Sequence, residues 1–377
     1  MKCTMLLTAL AIHVSVMDAQ EMRPRARDLG LTPGVFAPGP LNAITDVAGV
    51  RVGQVTISSG DTLNTGVTAI LPHGENPFLQ RVPAAVHVGN GFGKFIGTSQ
   101  IAELGELETP ILLTCTLCVW KAADAMIGWM LRQPGMSNAR SINAVVGETN
   151  DGGLNDIRLR AVTPADVERA LETASSGAVE EGSVGAGRGT TAFGWKGGIG
   201  TSSRKLPTAL GGFTVGVLVQ TNYGGVLQMD GLPVGEALGR HSYRGAIMTE
   251  RGDGSVIIVI ATDAPLNERQ LERLAGRGMM GLARTGADGS NGSGDYVIAF
   301  STAQSVRRVR GPDRRTDVVL ADDAISPVFL AAIEATEEAI YNSLLKATPV
   351  AYRGRTMQPI PLDRLRELLA QSRTGAP

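Results

Sequence analysis

The run Val256-Ile257-Ile258-Val259-Ile260-Ala261 is the most strand-like segment of the chain, apolar throughout with no polar alternation, and it reads as a buried strand. A buried strand needs partners and covering layers. Residues 213–220 (FTVGVLVQ) and 296–300 (YVIAF) read as further strands. Residues 41–57 read as short strands separated by Asp and Gly turns, and 67–71 and 84–89 continue the β-rich pattern between Pro and Gly. Helical spacing predicts helices over 98–109 and 117–132, and over 164–173 with Pro164 in the first turn. It also predicts 265–276, with Asp263 placed to cap it, then 328–346 and 361–371. Residues 182–204 read as one long Gly-rich region. Both element types interleave in one block without repeat or linker, which points to a layered α/β or α+β domain.

The chain has 377 residues, ample for a real core. Its formal net charge of −1 offers no basic footprint for nucleic acid and no polybasic surface for anionic lipid. With 8 Phe, 5 Tyr and 3 Trp it is poor material for a base-stacking surface. Gly supplies 48 residues, well above the usual ~7%, so a tightly turned, enzyme-sized globular fold is expected, with no nucleic-acid and no membrane partner.

Met1-Lys2 precedes an apolar stretch over 5–17, with Ala19 following. That is a secretory-signal pattern, too short for a membrane span, so residues 1–19 are expected to be a cleavable signal and the protein periplasmic or secreted. Cys3 would leave with the signal. Cys115-Thr116-Leu117-Cys118 remains. A C-x-x-C can be a redox pair or half a zinc site, but zinc wants further Cys or paired His, and the histidines are only His13, His73, His87 and His241. Following Ile111-Leu112-Leu113, the two cysteines read as small buried side chains.

Several catalytic signatures are absent. No G-x-S-x-G, H-E-x-x-H or G-x-x-x-x-G-K-[ST] occurs, and Gly276-x-Gly278-x-x-Gly281 follows a helix rather than the strand a dinucleotide site requires. No cofactor or metal is expected. With so few histidines, a serine here needs another base.

Gly252-Asp253-Gly254-Ser255 runs directly into the buried strand. Glycine at 254 removes side-chain obstruction and permits unusual backbone angles. Attack of the Ser255 hydroxyl on the Gly254 carbonyl would form an ester, whose hydrolysis frees Ser255 as a new amino terminus. That amine, with an ordinary pKa of ~7.7–8.0, could activate its own hydroxyl. A bare turn before a strand is the competing reading. Downstream, Asn291-Gly292-Ser293-Gly294-Asp295 also enters a strand, and Ser293 and Asp295, two apart, share one face of an extended backbone. They could form a hydrogen-bond relay, though an Asn-Gly hairpin turn would look similar.

The chain resembles the self-processing aminopeptidases that include β-peptidyl aminopeptidases and the L-aminopeptidase/D-Ala-esterase/amidase. The resemblance rests on DVAGVRVGQVTI (46–57), HVGNGFGK (87–94), ELETPILLT (106–114), VVGETNDGGLNDIR (145–158), GWKGGIGTSSR (194–204), VGVLVQTNYG (215–224), RGDGSVIIVIATDAPL (251–266), GLARTG (281–286) and NGSGDYVIAFST (291–302). It implies a four-layer αββα sandwich resembling N-terminal-nucleophile hydrolases, with different connectivity. It implies cleavage between Gly254 and Ser255, giving polypeptides 20–254 and 255–377 that stay together as one domain. Ser255 matches the nucleophile, and Ser293 and Asp295 the supporting Ser-x-acid pair, the acid being Glu in some relatives. Asn222 matches the oxyanion-hole asparagine, and Glu148 an acid that holds the substrate's ammonium. Substrates would be short peptides, amino-acid amides or esters with α-L, β- or D-residues at the amino end, and the assembly a homo-oligomer, a tetramer of αβ units. Two alternatives stay open: a self-cleaving acyltransferase similar to ornithine acetyltransferase, which uses Thr, and a catalytically silent binding scaffold. Ser255 and the apparent signal weigh against the first. Retention of Ser255, Ser293, Asp295 and Asn222 together weighs against the second.

Overall fold

A computed structural model of the chain describes residues 23–242, 244, 254–309, 311 and 314–374. The expected signal segment and Cys3 lie outside these residues, as do 251–253 on the approach to Gly254. In chain order the strands are β1 (Arg51–Ser59), β2 (Leu63–Leu71), β3 (Gln80–Gly91), β4 (Phe95–Ile96), β5 (Glu106–Leu107), β6 (Ile111–Cys115), β7 (Val145–Thr149), β8 (Thr191–Ala192), β9 (Trp195–Lys196), β10 (Ile199–Lys205), β11 (Thr214–Asn222), β12 (Ser255–Thr262), β13 (Gly294–Ser301) and β14 (Arg308–Val309), followed by a small carboxy-terminal hairpin. The helices are α1 (Thr98–Leu104), α2 (Val119–Leu131), α3 (Pro164–Glu172), α4 (Val234–Ala237), α5 (Glu268–Arg284), α6 (Ser326–Leu345) and α7 (Leu362–Thr374).

Two sheets organise the molecule. One runs β10-β11-β12-β13-β3-β14 with β5 added beside β3; the other runs β1-β2-β6-β7-β4. Each is antiparallel except for one parallel pair, β12–β13 in the first and β6–β7 in the second. Parallel neighbours need a long crossover, and α5 and α2 supply them on the outer faces. β12 shows why its sequence lacks polar alternation. Val256, Ile258 and Ile260 pack with residues of α5 and α6, whereas Ile257, Val259 and Ala261 pack inward with Ile70, Ile111, Leu113 and Val145 of the second sheet. The second sheet's outer face, with Val67, Ala69 and Val146, is covered by α2 and α3. The four layers are therefore helices, sheet, sheet, helices: the expected αββα sandwich.

Five local readings are corrected. Residues 41–50 form a 3-10 turn, Ile44–Asp46, and loop rather than strands, with Ile44, Val47 and Val50 buried as a plug between layers. The helix predicted over 98–109 stops at Gly105, whose left-handed backbone caps it. The predicted 265–276 helix starts later and runs to Arg284, and its cap is Asn267, which accepts from Gln270 N; Asp263 instead accepts from Thr214 N at 2.6 Å. The Gly-x-Gly-x-x-Gly pattern lies inside this helix as a packing device. A Cβ at Gly278 would sit 2.9 Å from Val297, and one at Gly281 2.7 Å from the Ile333 carbonyl of α6. Finally, the Gly-rich 182–204 region contains most of β10, where a Cβ at Gly200 would fall 1.9 Å from the Ala339 carbonyl.

Candidate active site

Ser255 opens β12, and the sheet register sets its neighbours. Its partners are Asn222, the last residue of β11, and Gly294, the first of β13. One step along, Val256 pairs with Asp295, which is flanked on its other side by Asn90 of β3. The ends of four strands of one sheet thus deliver polar side chains to one place.

Ser255 lies against the peptide that precedes it. Its hydroxyl donates to the Gly254 carbonyl oxygen at 2.6 Å, and that same oxygen accepts from Gly294 N at 3.1 Å. Glycine at 254 is dictated by space as well as by flexibility: a Cβ there would lie 3.2 Å from both Ser293 Oγ and Tyr223 Cβ. Ser293 Oγ in turn donates to Asp295 Oδ1 at 2.5 Å, with both residues buried. Burial pushes the Asp295 carboxyl above its ordinary pKa and the Asp288 charge adds to this, while the Ser293 hydrogen bond opposes it. The loop bearing Ser293 is pinned by Asn90, whose amide nitrogen shares its two hydrogens among the carbonyls of Ser290 at 3.2 Å, Asn291 at 3.1 Å and Ser293.

Asn222 is held on two sides. Its Oδ1 accepts from Thr191 N at 3.1 Å, and its Nδ2 donates to the Asn150 carbonyl at 3.0 Å. An amide nitrogen carries two hydrogens, so one Asn222 N–H remains uncommitted.

Glu148 comes from the other sheet, one residue before the end of β7. Its Oε1 accepts from Lys94 N at 3.0 Å and pairs with Lys94 Nζ at 3.1 Å. Its Oε2 is buried with no hydrogen-bond partner. A Cβ on Gly93 would lie 3.4 Å from Glu148 Oε1 and 3.2 Å from Gly294 Cα, so this carboxylate borders the serine site across one glycine. Beyond it, Asp151 is fully enclosed and burial raises its pKa to about 6, helped by the Glu148 charge and opposed by the hydrogen bond that Asn155 Nδ2 donates at 3.1 Å.

The structure therefore gathers Ser255, Ser293, Asp295, Asn222 and Glu148 around Gly254. Lys94, Asn90 and Asp151 escaped the sequence reading although all three stand inside quoted motifs, because no spacing ties them to the serine. The cysteine reading is corrected: Cys115 and Cys118 are buried but joined in a disulfide. Cys115 ends β6 and Cys118 precedes α2, a tight turn that brings their Cα atoms to 5.1 Å, within disulfide reach. The bond adjoins the site, since Cys115 pairs with Thr149 beside Glu148.

The profile of peptidase family S58 matches residues 42–357. The beta-peptidyl aminopeptidase BapA of Sphingosinicella microcystinivorans is 43% identical, over 93% of this chain and 93% of its own length. Among solved structures, a Burkholderia sp. beta-aminopeptidase superposes with a TM-score of 0.84 at 40% identity, covering 92% of this chain and 99% of its own. The L-aminopeptidase D-Ala-esterase/amidase from Ochrobactrum anthropi, described as a prototype of the serine aminopeptidases and a new variant of the Ntn hydrolase fold, also gives 0.84, at 38% identity over 94% of this chain and 100% of its own.

Proposed function

The chain belongs to peptidase family S58 and is an aminopeptidase-type hydrolase, and from that premise we propose that Ser255 is both its self-cleavage and its catalytic nucleophile. In maturation the Ser255 oxygen bonds to the Gly254 carbonyl carbon, the Gly254–Ser255 C–N bond breaks, and the Ser255 nitrogen takes a proton. Water then hydrolyses the ester, leaving polypeptides that end at Gly254 and begin at Ser255. In turnover the same hydroxyl attacks the substrate carbonyl. The new terminal amine and the Ser293–Asp295 pair carry and balance the proton, and Asn222 donates to the oxyanion. Glu148 holds the ammonium of the substrate's first residue on its unpartnered Oε2, which restricts the enzyme to free amino termini. The relatives' names favour β-amino residues at that position, released from short peptides, amides or esters.

The observation that carries the reading is the Ser255 hydroxyl 2.6 Å from the Gly254 oxygen, with Gly294 N–H already on that oxygen. The disulfide supports export as well, since such bonds persist in oxidising compartments. Purified protein should run as two bands on a denaturing gel, the smaller beginning Ser-Val-Ile-Ile, and Ser255→Ala should leave one. An active wild type that stays a single chain would overturn the proposal.

A further inference from the structure

The ammonium site is already half occupied by a cation of the protein itself. Lys94 places both its main-chain N–H and its ammonium on Glu148 Oε1, at 3.0 and 3.1 Å. The Glu148 side chain is only 2% exposed while that of Lys94 is 38% exposed, so the carboxylate faces inward and the lysine reaches toward solvent. Oε2 is buried and unpartnered. A substrate whose first residue carries only an ammonium would set a second cation on a carboxylate that Lys94 already neutralises. Like charges this close, with little water between them, oppose binding. A first residue that brings an anion beside its ammonium removes the conflict, because its ammonium takes Oε2 and its carboxylate takes Lys94. The carboxylate and ammonium of such a residue sit on one carbon, which matches an ion pair whose own partners are 3.1 Å apart.

We propose that the Glu148–Lys94 pair selects amino-terminal residues linked through their side-chain carboxyl, and β-aspartyl residues above all. This rests on the reading of Glu148 as the ammonium site and of β-residues as substrates. A β-aspartyl residue is a β-amino acyl group with a carboxylate on its amine-bearing carbon, so its scissile carbonyl falls at the same distance from the amine as in any β-residue. Hydrolysis consumes one water, breaks the amide C–N bond, and releases free aspartate and the shortened amine.

The test compares kcat/KM for β-aspartyl, γ-glutamyl, α-aspartyl and β-alanyl p-nitroanilides, on fully cleaved protein. Wild type should favour β-aspartyl over β-alanyl by about tenfold or more, the usual scale for one charged contact in a partly buried pocket. Lys94→Met should lower that ratio by about the same factor, and Lys94→Arg should restore most of it. The ratio reports selectivity whatever the variants do to maturation yield. A β-alanyl rate equal to or above the β-aspartyl rate in wild type, or a ratio unmoved in Lys94→Met, overturns the proposal. If γ-glutamyl outruns β-aspartyl, the head-group recognition stands and the β-linkage does not. Failure on all free-amine substrates would instead refute the Glu148 reading beneath it.

Discussion

Asn222→Ala should separate maturation from turnover. In the intact chain the Gly254 carbonyl is served by Gly294 N at 3.1 Å, while Asn222 accepts from Thr191 N, gives one amide hydrogen to the Asn150 carbonyl and makes no hydrogen bond to Gly254. Removing Asn222 therefore leaves the main-chain donor on the oxygen that becomes negative during self-cleavage. During turnover the substrate carbonyl depends on the spare Asn222 N–H, and loss of one such donor lowers kcat by ~10²–10³, or about 2.7–4 kcal/mol. The variant also strands the Asn150 carbonyl and Thr191 N–H, and two hydrogen bonds at about 1 kcal/mol each put the expected loss of folding stability near 2 kcal/mol. A gel time course should show self-cleavage at close to the wild-type rate. Kinetics on the cleaved fraction should show kcat and kcat/KM falling together with KM nearly constant, and thermal denaturation would report the stability term. Self-cleavage slowed in proportion to kcat would mean both reactions share one oxyanion site. A rise in KM with kcat intact would make Asn222 a binding residue.

Gly254→Ala should slow maturation severely while leaving the fold intact, because its Cβ would press at 3.2 Å on Ser293 Oγ and on Tyr223; wild-type cleavage kinetics on a gel would show that this contact is harmless. Glu148→Gln should lose on the order of 2–5 kcal/mol of transition-state binding for free-amine substrates and little for their N-acetylated forms, and equal losses for both sets would give Glu148 another role. Asp151 carries a stability prediction. Its folded pKa of about 6 lies above the ordinary 3.8, so between these values the folded chain binds a proton that the unfolded chain has released. The stability linked to this group is fully present below pH ~4 and lost as pH rises through 6, about 3 kcal/mol in all. Asp151→Asn should remove that titration, so the melting temperature should fall less steeply between pH 4 and 6; an unchanged slope in differential scanning fluorimetry would refute it.

The elements that were legible are those whose pattern has one physical cause. β12 and β13 are apolar because both faces are covered, and α3 shows Thr163, Pro164 and Asp166 in a complete capping arrangement. Two of the misread segments, 182–204 and the end of the helix predicted over 265–276, are those where glycine has a tertiary meaning. Gly200, Gly278 and Gly281 look like breakers in sequence, yet each stands where a helix approaches to within one side chain's thickness. Nothing in the local pattern distinguishes a glycine that turns the chain from one that admits a neighbour. Asp263 is a related case: a carboxylate before a helix reads as a cap, but it accepts instead from Thr214 N, brought in from β11.

The site divides along the same line. Gly254–Ser255 and Ser293–Asp295 are each local, so two short motifs expose most of the proposed chemistry, and strand pairing sets them side by side. The Lys94–Glu148 pair joins residues 54 apart across a turn and a sheet, and neither residue alone looks like more than a surface charge. On our proposal their meeting changes what the pocket accepts, since a carboxylate by itself would welcome any free amine, whereas one already shared with a lysine favours an amine that carries its own countercharge. On the proposed reading the reacting groups come from contiguous motifs, whereas the selecting ion pair forms at the β4–β7 edge of the second sheet, where Phe95 pairs with Gly147 beside Glu148.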